Sequence, residues 1–175
     1  GLGAPIGSLT QMGTVRLGKR TEDRSPRVKD LVPLAELDDL VFGGWDVFED
    51  NVYEAACKAG VLERTLLDRL RPALEPLRPM PAVFDQRYVK KLHGTNVKKG
   101  DSWMEKARAL MDDIERFKKA NDVSRFFFNA TATTEIYTEV KAVHRTIEAF
   151  ELGLMENDPD IAPSMVYAYA AIKTG

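Results

Sequence analysis

At 175 residues, with 30% charged and 44% hydrophobic side chains, the chain has the balance of an ordinary globular domain and enough length to bury a core. A formal net charge of -2 excludes the basic footprint of a nucleic-acid or anionic-membrane binder, and no apolar run is long enough to span a bilayer. The single cysteine, Cys57, rules out an internal disulfide and suits a reducing compartment, and no signal-peptide layout opens the sequence, so the cytoplasm is the expected location.

The opening GLGAPIG invites a dinucleotide-loop reading, which fails because its third glycine comes one residue late and Pro5 interrupts the turn. Residues 7–20 are rich in Gly, Thr and basic side chains, with short apolar elements such as Val15 and Leu17. Arg16, Lys19, Arg20, Arg24, Arg27 and Lys29 can hold a phosphate or simply face solvent, and a solvated loop is the favoured account of such a run. Leu40, Val41 and Phe42 read as a short strand covered on both faces, followed by the pair Gly43 and Gly44. Asp46 then stands where an open parallel sheet places ligand-contacting residues, beyond the carboxyl end of a strand. Plain αβ packing gives the same pattern.

Asn51 and Glu54 have the spacing of a capping box, and Gly60 sits where a glycine stops the helix over 51–59. Leu62, Leu66, Leu67 and Leu70 predict a second amphipathic helix over 61–71, broken by Pro72, Pro76, Pro79 and Pro81. Ala82, Val83 and Phe84 make a second strand-like run, and HGTNVKKG, residues 93–100, a polar loop. Ser102 and Glu105 form another capping box, opening a helix with Trp103, Ala107, Leu110, Met111, Ile114 and Phe117 on its core face. Residues 123–128, with three consecutive Phe, read as the next buried strand. Val140, Val143, Ile147, Phe150 and Leu154 predict a helix. Pro163 suits the first turn of a last one, apolar on most sides over 164–173, which buries itself against a sheet or a partner subunit. Strands near 40, 83 and 126 alternating with helices point to an α/β fold with a mainly parallel sheet.

NATATTE, residues 129–135, follows the Phe run. Its small and hydroxylated residues allow a bound group to approach closely, and with Asp46 it would line one crevice if the strands are parallel. An ordinary strand-to-helix loop explains it equally. Glu135 is an acid–base candidate for which helix capping is the stronger reading. His93 and His144 lack ligand-spaced companions, so no metal site is expected; His144 pairs with Glu148 at the surface, and Cys57 reads as a small buried residue.

GGWD at 43–46, with GSLTQMGTVRLGKR upstream at 7–20 and IAPSMVYAYAAIKTG at the end, resembles the myo-inositol-1-phosphate synthase (inositol-3-phosphate synthase) family. The order of these blocks and the TATTE segment between them extend the similarity through nearly the whole chain. The resemblance implies a Rossmann-like, doubly wound sheet, NAD as cofactor, glucose 6-phosphate as substrate and a homo-oligomer, a tetramer. It implies that Asp46 binds the adenine ribose, that Val83 packs on the adenine, and that Thr131, Ala132, Thr133 and Thr134 contact the cofactor. Thr133 departs mildly from the family pattern, and the family's further Gln/Arg contacts have no match in HGTNVKKG. By the same comparison, residues 1–175 form an incomplete NAD-binding domain, without the first strand and its glycine loop and without the C-terminal part that holds the catalytic lysines and aspartate. No catalytic residue is therefore expected here, and the chain alone is expected to be inactive. Another NAD-dependent dehydrogenase or isomerase domain, and a non-catalytic assembly module, stay open as alternatives.

Overall fold

The computed structural model describes residues 13–34, 36, 39–123, 125–129 and 135–175, in two units that divide between Phe42 and Gly43. In the first unit, Val15 N–H donates to Pro26 O (3.0 Å) and Leu17 N–H to Arg24 O (2.8 Å), folding the basic run back on itself. Gly18 takes a positive φ of 82° at the bend, and Arg27 closes an exposed fork on Asp30. The phosphate-or-solvent alternative therefore loses one of its cations to a local ion pair.

The second unit is built on a parallel pair of strands, β1 (Trp45–Asp46) and β2 (Met80–Pro81), in the register Trp45↔Met80 and Asp46↔Pro81. A parallel bridge between Ala82 and Val97 continues the ladder by a third segment. The pairing is parallel, as expected, but both strands fall away from the predicted runs. Leu40, Val41 and Phe42 form no strand, and Phe42 is 61% exposed. The ladder starts instead where Gly44 O accepts from Met80 N–H (2.9 Å). Gly43 passes so close to Phe117 that a Cβ there would lie 2.6 Å from its ring, so the apolar residue drawn inward is Trp45. Asp46 thus ends the strand itself.

Asn51 and Glu54 form the expected capping box on α1 (Val52–Ala59), exchanging bonds of 2.9 Å each way, and Gly60 closes the helix at φ 63°. Helix α2 (Arg64–Leu74) runs through Pro72, where a break was expected. So near its end the proline removes a single N–H bond, and the chain turns out at the prolines beyond. Of its leucine stripe only Leu67 is buried, and Cys57 is half-buried rather than enclosed.

The core lies on α3 (Trp103–Ala120), whose Trp103, Met104, Ala107 and Leu110 pack with Leu154 of α4 (Ile147–Glu156) and Val166 and Ala170 of α5 (Pro163–Lys173). Helix α4 begins later than its pattern predicts. His144 accepts from Lys141 N–H (3.0 Å) and meets Asp160 O (3.0 Å), holding a short 3-10 turn instead of pairing with Glu148. Thr146 then caps α4 by accepting from Ala149 N–H (3.2 Å). Pro163 is the first residue of α5, as predicted, and α5 lies mainly against α3. Among the described residues of 123–128 no strand forms. Phe127 is 79% exposed, and Phe128 is packed among other rings.

Candidate functional site

The carboxyl end of β1 gathers the chemistry. Asp46 is exposed, and its Oδ1 accepts from Phe48 N–H (3.0 Å), an Asx turn that fixes the carboxylate against its own backbone. Among the described residues no ion pair draws on it. Phe48 N–H is the carboxylate's one hydrogen-bond donor among the described residues. Two residues further on opens a cleft of about 600 Å³ lined by Phe48, Glu49, Asp50, Glu54, Lys58, Arg78, His93, Gly94 and Thr95. Within it Lys58 is held by Asp50 (2.6 Å), so the lining carries both signs of charge and no excess of cations.

Trp45 ties this strand end to the rest of the unit. Its ring meets Tyr167 edge-on at 5.4 Å and Phe128 at 6.3 Å, and Phe128 stacks on Tyr167 at 6.1 Å. The Tyr167 hydroxyl accepts from Val83 N–H (2.8 Å). Burial pushes the Tyr167 phenol up to about 12, the Val83 bond opposes this, and the charges of Asp113 and Asp46 add to it. Val83 itself is 4% exposed, with its side chain in the core cluster. Its side chain is covered because the segment that carries it lies under α5.

Thr131, Ala132, Thr133 and Thr134 lie outside the described residues, but the chain on either side is anchored. Phe128 sits against Trp45 and Tyr167. Glu135 accepts from Ser164 N–H (3.0 Å) and from the Ser164 hydroxyl, capping α5 as the sequence suggested. Both anchors fall on the first turns of α5, and the first of them touches the residue next to Asp46.

Three residues here were not legible as functional. Asn96, read as part of a polar loop, donates its Nδ2–H to Asp46 O (2.9 Å) and its N–H to Val47 O (2.9 Å). Asp113 is 2% exposed and accepts from Trp45 Nε1–H (2.8 Å), from Lys98 Nζ (2.5 Å) and from Arg116. A signal for it did exist, since an acidic residue three positions after Leu110 falls on the buried stripe of α3 and needs a buried cation. Lys98 carried no such mark.

A family model described as Myo-inositol-1-phosphate synthase, an NAD-binding domain model, matches residues 4–175. The chain belongs to the myo-inositol-1-phosphate synthase family. It is 44% identical over 173 residues to inositol-3-phosphate synthase 1 of Bacteroides thetaiotaomicron, covering 98% of this chain and 40% of that protein. It is 34% identical to the Citrus paradisi inositol-3-phosphate synthase over 172 residues, 95% of this chain and 34% of the relative. The crystal structure of the Caenorhabditis elegans inositol-3-phosphate synthase superposes with a TM-score of 0.86 at 32% identity, over 97% of this chain and 35% of that one. The α/β, Rossmann-like class with parallel strands holds for this family member, and NAD is the cofactor its domain family takes. The chain spans roughly a third to two-fifths of the length of these synthases.

The residues present suit NAD at its adenosine end. An exposed carboxylate with no cation partner among the described residues can accept from a ribose diol, and its negative charge opposes a 2′-phosphate.

Proposed function

We propose that this chain supplies the adenosine-side wall of the NAD site of an inositol-3-phosphate synthase, which converts glucose 6-phosphate to myo-inositol 1(3)-phosphate by oxidation, enolisation, aldol closure and reduction. NAD, when bound, takes up hydride and returns it, so that the net reaction is an isomerisation. Asp46 accepts from the adenine ribose hydroxyls, its carboxylate oriented by Phe48 N–H. Thr131, Ala132, Thr133 and Thr134 contact the cofactor, by family resemblance. Carbanion and alkoxide stabilisation, which the enolisation and aldol steps demand, falls to groups outside these residues. We place the enzyme in the cytoplasm as a homo-oligomer, a tetramer by family resemblance, acting in inositol and phospholipid biosynthesis.

The observation that carries this reading is the exposed, turn-locked Asp46 carboxylate at the end of β1, with the Phe128 run beside it through Trp45. The test is turnover of glucose 6-phosphate with NAD and no added reductant, in the complete natural chain and its Asp46→Ala variant. Loss of activity that excess NAD partly restores is the expected result. Full activity of Asp46→Ala at limiting NAD would contradict the assignment.

A further inference from the structure

The orientation of the Asp46 carboxylate depends on the peptides of residues 46–48, because its Oδ1 is bonded to Phe48 N–H. Those same peptides are gripped from outside the strand by one residue. Asn96 Nδ2 donates to Asp46 O at 2.9 Å, with Phe48 O and Met80 O each 3.5 Å away, and Asn96 N–H donates to Val47 O at 2.9 Å. Its own carbonyl accepts from Ala82 N–H (2.9 Å), so it bridges the ends of β1 and the segment after β2. Gly94 lets the loop lie this close, since a Cβ there would overlap the Val47 carbonyl oxygen and sit 2.5 Å from the Val47 Cβ.

The loop is fixed in turn from below. Lys98, two residues on, has a side chain 9% exposed and reaches Asp113 at 2.5 Å. Asp113 also holds the Trp45 indole N–H. A single buried carboxylate therefore sets both the side chain before Asp46 and the loop that grips the peptides after it. We infer that Asn96 is a positioning residue for Asp46, seated by the Lys98–Asp113 pair, and that it sets how strongly the site distinguishes a ribose from a deoxyribose. This inference rests on Asp46 binding the adenine ribose.

The test compares equilibrium binding of NAD and of its 2′-deoxyadenosine analogue to the complete natural chain, to Asp46→Ala and to Asn96→Ala. A hydrogen bond to a carboxylate gives the parent protein a preference for NAD of about tenfold or more. Asn96→Ala lowers this preference toward that of Asp46→Ala by weakening NAD far more than the analogue, whereas a purely structural residue would weaken both alike. Asn96→Leu keeps the volume and loses the amide donor without adding a charge, and reads the same way should the alanine variant not fold. A preference lost in Asp46→Ala but intact in the folded Asn96 variant overturns the positioning role alone. A preference intact in Asp46→Ala overturns the ribose assignment and this inference with it.

Discussion

Removing the Asp113 carboxylate is the most informative perturbation of this fold. Asp113 is 2% exposed and Lys98 9%, so Asp113→Ala strands an ammonium in a site with little water to solvate it. Arg116, 73% exposed, swings into solvent at small cost. Breaking one partner of a buried pair costs about 3–5 kcal/mol. The orphaned Trp45 N–H adds about 1 kcal/mol, at the low end because the ring is half-buried and water can reach it. The expected loss is therefore about 4–6 kcal/mol, a large share of a typical domain's stability. Adding Lys98→Met removes the stranded charge, so the double variant Asp113→Ala/Lys98→Met recovers most of the loss, with a coupling energy of about 3 kcal/mol. Urea unfolding followed by far-UV circular dichroism reads each variant as a shift in midpoint at unchanged slope. A loss under about 1 kcal/mol in the single variant, or strict additivity in the double, would refute the claim that this pair holds the loop to the strand.

Two further outcomes follow from the same region. Gly94→Ala forces a Cβ into Val47 backbone atoms that cannot yield, costing about 2 kcal/mol, or roughly 4–8 °C in melting midpoint, while Gly44→Ala, with nothing within 4 Å of its Cβ, leaves the midpoint in place. Equal midpoints for the two variants would contradict the close approach. Tyr167 gives a pH dependence: its phenol ionises near 12 in the fold and near 10 in the unfolded chain. Between those values the unfolded state has released the proton and the native state keeps it, so stability falls as pH rises, by about 2–3 kcal/mol across the window. Chemical denaturation at pH 9 and above should show that slope, and Tyr167→Phe should flatten it; an unchanged slope in the variant would place the buried phenol elsewhere.

The helices were legible in the sequence wherever caps and periodicity agreed. Asn51 with Glu54, Gly60 and Pro163 each do locally what their residue type allows, and no distant contact overrides them. The strands were not, because an apolar run signals burial and not pairing. Phe42 and Phe127 lie exposed in such runs, while the ladder forms at Trp45–Asp46 and Met80–Pro81, where a glycine and a proline sit beside or within it. In the site, Asp46 was marked by its position in GGWD. Asn96 was hidden because a loop asparagine has many local uses, and its bonds reach back 50 residues in sequence. Val83 is the converse case: its place beside a strand end was legible, but its burial under Tyr167 depends on α5, 84 residues away.

The central claim is that Asp46 holds the adenosine end of NAD. It is tested most directly by calorimetric titration of NAD into the complete natural chain and into its Asp46→Ala and Asp46→Asn variants. Loss of a charge-assisted acceptor is expected to weaken binding at least about tenfold in both variants, with the amide retaining more than the alanine. Equal affinities for NAD in all three proteins would contradict it.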